Sequence, residues 1–524
     1  SLIAGSGAET LYPPVRRCPN AGCKNKKLGN AILATCRVFT LHRGILPGRA
    51  ASLYCDTCKT RYHYAFKITM ASSGHGLREY YVEPLKYIHA QEASFVDRKL
   101  CAYIRHAISM SHTSTSDIGE IYDACLQIGV DDEIVNSPLL MEMAQDVVLE
   151  AFFMYSLLQR VQHAGESLHL LHNEHHNRRI DVALDQFNFK MAGTGQPHYL
   201  HACHDCLKFV KDPEGNLCYI RAAVTDGVTL GHPCCARSGC QTPLNSMKDR
   251  FCSLHRDDAS KCAAVGCDTR AEQGFITCTL PAHRAEETKI YVDQISAYED
   301  LRRRFLKANV PRTPKRKGRK SGRAVRRFTH HEQLTVNTCG VVTSRCSMFV
   351  SEGVASVREF LKKVYPEEYL LPTHIFYDNA CHLLSHIQAQ GDTHFKTARL
   401  IVDIFHARNH DDEFCTAKCN GASFPELHYT NKEGKECWVF NSSIAEQTNV
   451  WFGAFQAISR EMSPARCVYL FVIYIGSLMV RYNFFLDEVI SAHNERLVGR
   501  LEREGKQPFL LDPDVLKNEW KRRK

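Results

Sequence analysis

The chain has 524 residues, 44% apolar and 23% charged, with 66 basic against 57 acidic side chains and a formal net charge of +9. That length exceeds what one core holds, so several domains are expected, and the apolar content excludes a disordered chain. The most apolar stretch, Cys467 to Val480, is 14 residues long and ends before Arg481; it suits a buried helix, no signal peptide is visible, and no membrane partner is expected.

The 24 Cys and 27 His need an explanation. The Cys recur at two- and four-residue gaps with His nearby, which is metal-ligand spacing and not a secreted disulfide framework. Structural Zn2+ in a reducing compartment is therefore expected. In chain order, residues 15–70 form a first cluster, Cys18, Cys23, Cys55 and Cys58, with Cys36 and His63 as substitutes. It brackets a strand-like stretch, Ala31 to Leu41. Residues 71–195 read as mostly helical, with a helix on the 3.6-residue period over Leu139–Val161. Residues 196–233 hold Cys203 and Cys206 among His198, His201 and His204, so ligands are plentiful and the set is open. A buried strand over Leu217–Val224 follows, ending at Thr225-Asp226-Gly227.

Residues 234–310 carry two near-copies. One is Cys235-x4-Cys240-x11-Cys252-x2-His255; the other is Cys262-x4-Cys267-x10-Cys278-x4-His283. Each supplies three thiolates and one imidazole, a closed tetrahedral set. The two sets are sequential or interleaved, and Cys234 is an alternative to Cys235. A glycine precedes the second Cys at Gly22, Gly239 and Gly266, where a sharp knuckle turn is expected. A charged helix over Ala285–Lys307 leads into a basic linker, residues 311–330. Nine of the 17 residues from Pro311 to Arg327 are basic and none is acidic. They are Arg312, Lys315, Arg316, Lys317, Arg319, Lys320, Arg323, Arg326 and Arg327. Such a run tracks phosphates without reading bases, or serves as a solvated linker or a nuclear import signal.

Residues 331–465 alternate between strands and helices. A hairpin is expected over Leu334–Val342 and Ser344–Val350, a helix over Ala355–Val364, and strands over Thr373–Tyr377 and Leu400–Phe405. A helix over Ser442–Arg460 starts at Ser and carries Glu446 in its first turns. Residues 466–524 read as helical. Two strand-end carboxylates, Asp226 and Asp378, and the helical Glu446 can converge on two hard divalent ions, Mg2+ or Mn2+. On residue types alone, a cap-and-turn role for these acids is favoured. The element order fits an α/β, α+β multi-domain chain: a ribonuclease-H-like core with inserted zinc modules and helical flanks.

The motifs Ala223-Val-Thr-Asp226-Gly, Phe376-Tyr-Asp378-Asn-Ala-Cys381, Phe405-His406-Ala-Arg-Asn-His410 and Asn441-Ser-Ser-Ile-Ala-Glu446-Gln-Thr-Asn449 appear in that order. In this respect the chain resembles the Kyakuja–Dileera–Zisupton (KDZ) transposases, eukaryotic DNA transposases common in fungi. Its Cys18–Cys58 and Cys235–His283 groups resemble the CxC5 and CxC6 cysteine clusters associated with them. The resemblance implies a nuclear cut-and-paste enzyme of the DDE type. Its metal-binding acids would be Asp226, Asp378 and Glu446, with Asp205 a rival for the first. Its partner would be double-stranded DNA, as transposon ends and target, bound by an assembly of copies. His406, His410, Cys415 and Cys419 would bind zinc and brace the catalytic helix; His406 at the scissile phosphate, or buried as plain packing, are the other readings. A catalytically inactive, transposon-derived DNA-binding protein is the alternative function. A zinc scaffold for ubiquitin transfer is a third, disfavoured because strands interrupt the clusters. Neutralising several linker Arg and Lys residues should weaken binding to every DNA sequence and flatten its salt dependence, measured by fluorescence anisotropy. An unchanged salt slope would show that the linker does not touch DNA.

Overall fold

The computed structural model describes residues 9–523, apart from 30, 71–73, 75, 127–141, 175, 212–214, 216, 231–250, 252, 263–266, 268, 276, 286–330, 349–352, 409, 411, 457 and 459–471. The basic linker, the helix expected over Ala285–Lys307 beyond its first residue, and most of the first copy of the double cluster therefore lie outside the described residues. The chain divides into two compact units, one of residues 1–191 with 480–496, the other of residues 192–479 with 497–524.

The first unit is built on strands β1 (Glu9–Leu11), β2 (Ile32–Thr40), β3 (Gly44–Tyr54), β4 (Arg61–Tyr62), β5 (Phe66–Met70), β6 (Gly76–Tyr80), β7 (Tyr87–Gln91), β8 (Ser94–Asp97) and β9 (His169–Leu171). They form one sheet in the order β7-β8-β2-β3-β4-β5-β6-β9, with β1 beside β3. The stretch expected to be mostly helical thus opens with three strands. In β6 burial alternates residue by residue, and β7 and β8 are rich in aromatic and β-branched residues, which suit a pleated surface. Helices Arg98–Ser111, Thr115–Leu126 and Gln145–His163 follow. The last is buried on nearly every side. Phe152, fully buried, packs 5.6 Å from the rings of both Phe153 and Phe485. Several buried charges in this unit are paired: Arg105 Nε lies 2.6 Å from Glu488, and Arg481 lies 2.7 Å from Glu150 and 2.9 Å from Asp181. Each pair avoids the cost of an isolated charge in the interior.

The second unit contains β10 (His201–Ala202), β11 (Leu207–Lys211), β12 (Leu217–Thr229), β13 (His331–Asn337), β14 (Val342–Met348), β15 (His374–Phe376), β16 (Arg399–Ile401), β17 (His428–Thr430), β18 (Glu436–Trp438) and β19 (Phe509–Leu510). Its main sheet runs β14-β13-β12-β15-β16, with β11 also on β12. The three strands β12, β13 and β14 pair antiparallel; β15 and β16 continue in parallel. Helices Val354–Val364 and Ala380–Ala389 separate β14 from β15 and β15 from β16. The expected hairpin, helix, strand, helix, strand order is present. Strand bounds differ: β12 continues through Asp226 to Thr229, the hairpin turn falls between Asn337 and Val342 and not at residue 343, and the strand expected to reach Phe405 stops at Ile401.

Alternation along the strands decides the two faces of this sheet. Ile375 and Tyr377 join Val357, Phe360, Leu361, Leu383 and Ile387 in one core. Ile220, Ala222, Val224 and Phe376 join Ala445 and Phe440 in another. Helices therefore cover both faces, with Ile444–Gly453 on the second. Each large side chain fully buried in these layers contributes roughly 1.5–3 kcal/mol.

In the first unit, Phe152→Ala should lower stability by about 3–5 kcal/mol, because the cavity between two rings cannot collapse fully. Urea unfolding followed by circular dichroism checks this; a loss below about 1 kcal/mol would mean the site repacks.

Candidate functional site

Among the described residues, twelve cysteines and three histidines gather into four sets whose ligand atoms lie within 4.8 Å of one another: Cys18, Cys23, Cys55 and Cys58; His201, Cys203, Cys206 and Cys339; Cys262, Cys267, Cys278 and His283; and Cys381, His410 and Cys415. All of these cysteines are free thiols. Zinc with bonds of about 2.3 Å to sulfur and about 2.0 Å to nitrogen sets tetrahedral edges of about 3.8 Å between thiolates and about 3.6 Å between thiolate and imidazole. The observed edges match. Cys18 and Cys58 are 3.6 Å apart, Cys23 and Cys55 3.7 Å, and Cys267 and Cys278 3.9 Å. His283 Nδ1 lies 3.5 Å from Cys262 and 3.2 Å from Cys278. The donor sets are compatible with zinc.

Local sequence explains the first set. Asn20 caps the turn Ala21–Cys23 by accepting the Gly22 amide at 3.1 Å, and the chain reverses through Lys24 and Asn25 at φ 50° and 57°. The reversal falls after the second Cys, so Gly22 is not the residue that needs positive φ. A second reversal at Lys59, φ 57°, follows Cys58. The Tyr62 hydroxyl sits 3.2 Å from Cys18 Sγ. Cys36 and His63 stand apart from the set. Cys36 is a plain core thiol, pushed up to about 11 by burial. His63 stacks on Phe66 at 4.8 Å and is pushed down to about 4, chiefly by burial.

The structure thus draws Cys262, Cys267, Cys278 and His283 together as one sequential set. Of the other copy, His255 lies in the turn Ser253–Ser260, while Cys235, Cys240 and Cys252 fall outside the described residues. So do all nine linker cations.

The four residues read as one set, His406, His410, Cys415 and Cys419, are divided. His410 Nδ1 lies 3.4 Å from Cys381 and 3.5 Å from Cys415, so Cys381 takes the place expected for His406. Cys419 is fully buried in the adjoining core, where burial pushes its thiol up to about 12 with help from Cys415 and Cys381. His406 leaves the set because Asp403 caps the helical turn Ile404–Ala407 and holds His406 Nδ1 at 2.8 Å. Cys381 stands in the same motif as Asp378, three residues on, with no second Cys at knuckle spacing to mark it as a ligand.

Asp226 lies on the second face of the main sheet, and Asp378 and Glu446 both act on His406. β12 and β15 pair in parallel through Ala222 with His374 and Val224 with Phe376. Two residues beyond that last pair come Asp226, still on β12 and by alternation on the face of Val224, and Asp378, in the turn that follows β15. Adjacent strands lie about 4.8 Å apart. Asp226 accepts the Asn449 side-chain amide at 2.8 Å, one helical turn beyond Glu446. Asp378 accepts the Asn379 amide at 2.6 Å. Glu446 lies 3.9 Å from His406 Nε2. Asp226, Asp378 and Glu446 do not form a set closed to 4.8 Å; two ions about 3.5–4 Å apart need ligands spread more widely than one zinc does. Asp205 stands elsewhere, 2.9 Å from Lys506. Ser443 occupies the helix start without a side-chain cap bond.

Partial burial opposes charge on His406, but Asp403 foremost, then Asp378 and Glu446, raise its pKa above 6.5. The stability this gives is full below pH 6.5 and is lost as pH rises through the raised value. NMR titration of metal-free protein should place the His406 midpoint above 6.5 and return it downward in Asp403→Asn. An unmoved midpoint in that variant would break the assigned pairing.

Family comparison bears on these groups. A model described as a CxC5 like cysteine cluster associated with KDZ transposases matches residues 6–126. A second, a CxC6 like cysteine cluster associated with KDZ transposases, matches residues 224–289. No curated protein and no solved structure matches the chain. The chain therefore carries both of these cysteine clusters that accompany KDZ transposases, which supports a KDZ-type transposase.

Proposed function

We propose that the chain is a DDE-type DNA transposase, cleaving and transferring DNA strands with a ribonuclease-H-like core braced by structural zinc. What supports this reading is the β12–β15 register, with Asp226 two residues past its last pair on β12, Asp378 two residues past it after β15, and Asn449 of the helix bearing Glu446 bonded to Asp226. The sheet order β14-β13-β12-β15-β16, antiparallel then parallel, supports the core assignment. Asp226, Asp378 and Glu446 offer only oxygen ligands and are partly open to solvent, which suits Mg2+ or Mn2+.

Bound there, two such ions would supply Lewis-acid activation of the attacking oxygen and charge neutralisation at the leaving oxygen. The protein's own groups do the positioning. Asn449 orients the Asp226 carboxylate, and the Asn379 amides orient that of Asp378. Asp403 fixes the His406 ring, so that Nε2 stands beside Glu446 and can donate to a phosphate oxygen. In the cleavage step a water oxygen bonds to phosphorus as the P–O3′ bond breaks, and the 3′ oxygen leaves with a proton. In transfer that 3′ hydroxyl oxygen bonds to a target phosphorus as the target's own P–O3′ bond breaks, and the target 3′ oxygen leaves with the proton. The basic run from Arg312 to Arg327 supports double-stranded DNA as partner and the nucleus as place of action.

No described helix is long and apolar enough to cross a membrane.

Nicking of supercoiled plasmid in Mg2+ or Mn2+ tests the proposal. Asp378→Ala and Glu446→Gln should each reduce the rate at least about a hundredfold, or about 2.7 kcal/mol in barrier. Asn449→Ala should lose less and demand more metal. Metal-dependent nicking that survives Asp378→Ala would remove the assigned site.

A further inference from the structure

We infer that His201, Cys203, Cys206 and Cys339 form a structural zinc site within the second unit, outside both matched cysteine clusters, and that it pins the strand carrying Asp226. The inference rests on the fold and not on the catalytic reading.

All four residues are buried, between 1% and 7% exposed, and their ligand atoms lie within 4.8 Å of one another. Cys203 and Cys206 are 3.7 Å apart, a tetrahedral zinc edge. The knuckle is preformed: the Cys206 and Leu207 amides both donate to the Cys203 carbonyl, and the Cys203 amide points at Cys206 Sγ, 3.3 Å away. His201 Nε2 is buried and has no hydrogen-bond partner. As a plain core histidine it would bear the desolvation penalty of an unmet buried polar atom; as a ligand it is satisfied. Isolated core thiols such as Cys36 and Cys101 belong to no such set. Three thiolates and an imidazole select zinc over a hard oxygen-seeking ion.

The position of the site explains its use. β12 changes partner along one side, pairing with β11 up to Arg221 opposite Leu207, then with β13 from Ala223 opposite Asn337. Cys206 immediately precedes β11, and Cys339 lies in the turn just after β13, where Gly340 takes φ 97°. An ion there closes the gap between the two partner strands. Two hydrogen bonds already align them: Asn337 Nδ2 donates to the His201 carbonyl at 2.9 Å, and Thr338 Oγ1 to the Asp205 carbonyl at 2.9 Å. Asp226 lies five residues beyond Arg221 on the clamped strand.

The test uses the full zinc-loaded chain. N-ethylmaleimide labelling is mapped by peptide mass spectrometry during graded chelation, with bound zinc counted by native mass spectrometry. Cys203, Cys206 and Cys339 should become reactive together as one zinc equivalent leaves, while Cys36 and Cys101 stay protected. Cys339→Ser should hold one equivalent less, and Cys339→His should keep the full count. Labelling of the three thiols that ignores zinc loss would overturn the site, as would an unchanged count in Cys339→Ser. If Cys339→Ser does not fold, the labelling map on the unaltered chain decides alone.

Discussion

The central strand β12 is the constraint on which the second unit depends. It bonds to β11 and then β13 along one edge, and to the parallel β15 along the other. A buried strand in that position must satisfy every backbone donor and acceptor, so its register cannot slide. A slip of one residue would turn Asp226 to the opposite face and Thr225 out of its bond to the Leu334 carbonyl. The face on which Asp226 stands is thus a by-product of backbone pairing. The helix Ile444–Gly453 is held on the same face by Ala445, Thr448, Asn449 and Phe452. Glu446 follows from that packing.

The thiol sets answer a second need. The core around Cys18, Cys23 and Cys55 contains little apolar material beyond Leu28, Leu53 and Tyr62, and the core around Cys203, Cys206 and Cys339 little beyond Val341, Leu497 and Leu501. Small cores of this kind hold only a few kilocalories per mole. Zinc bound to such thiols would add binding energy directly to folding energy. The larger cores, such as the layer around Ile375 and Tyr377, use apolar side chains in the ordinary way.

Much of this was legible in the chain. The order of hairpin, helices and strands after Asp226 followed from hydrophobic period, and Cys262, Cys267, Cys278 and His283 from spacing alone, because each of these signals is local. The misread parts depend on distant residues. Cys339 and Cys381 carry no partner at knuckle spacing, so nothing nearby marks them as ligands. His406 stood beside plausible ligands, yet the Asp403 cap turns it to the acids. The turn expected at Gly22 is made by Lys24 and Asn25, since capping by Asn20 shifts the reversal past the second Cys.

The sequence by itself determined which residues can bind metal and where strands and helices alternate. These are matters of side-chain chemistry and short-range period. Only the tertiary structure decided which ligands share a site and on which face Asp226 stands. Those outcomes come from strand register and helix packing between residues far apart in the chain, such as the 152-residue offset that aligns Ala222 with His374.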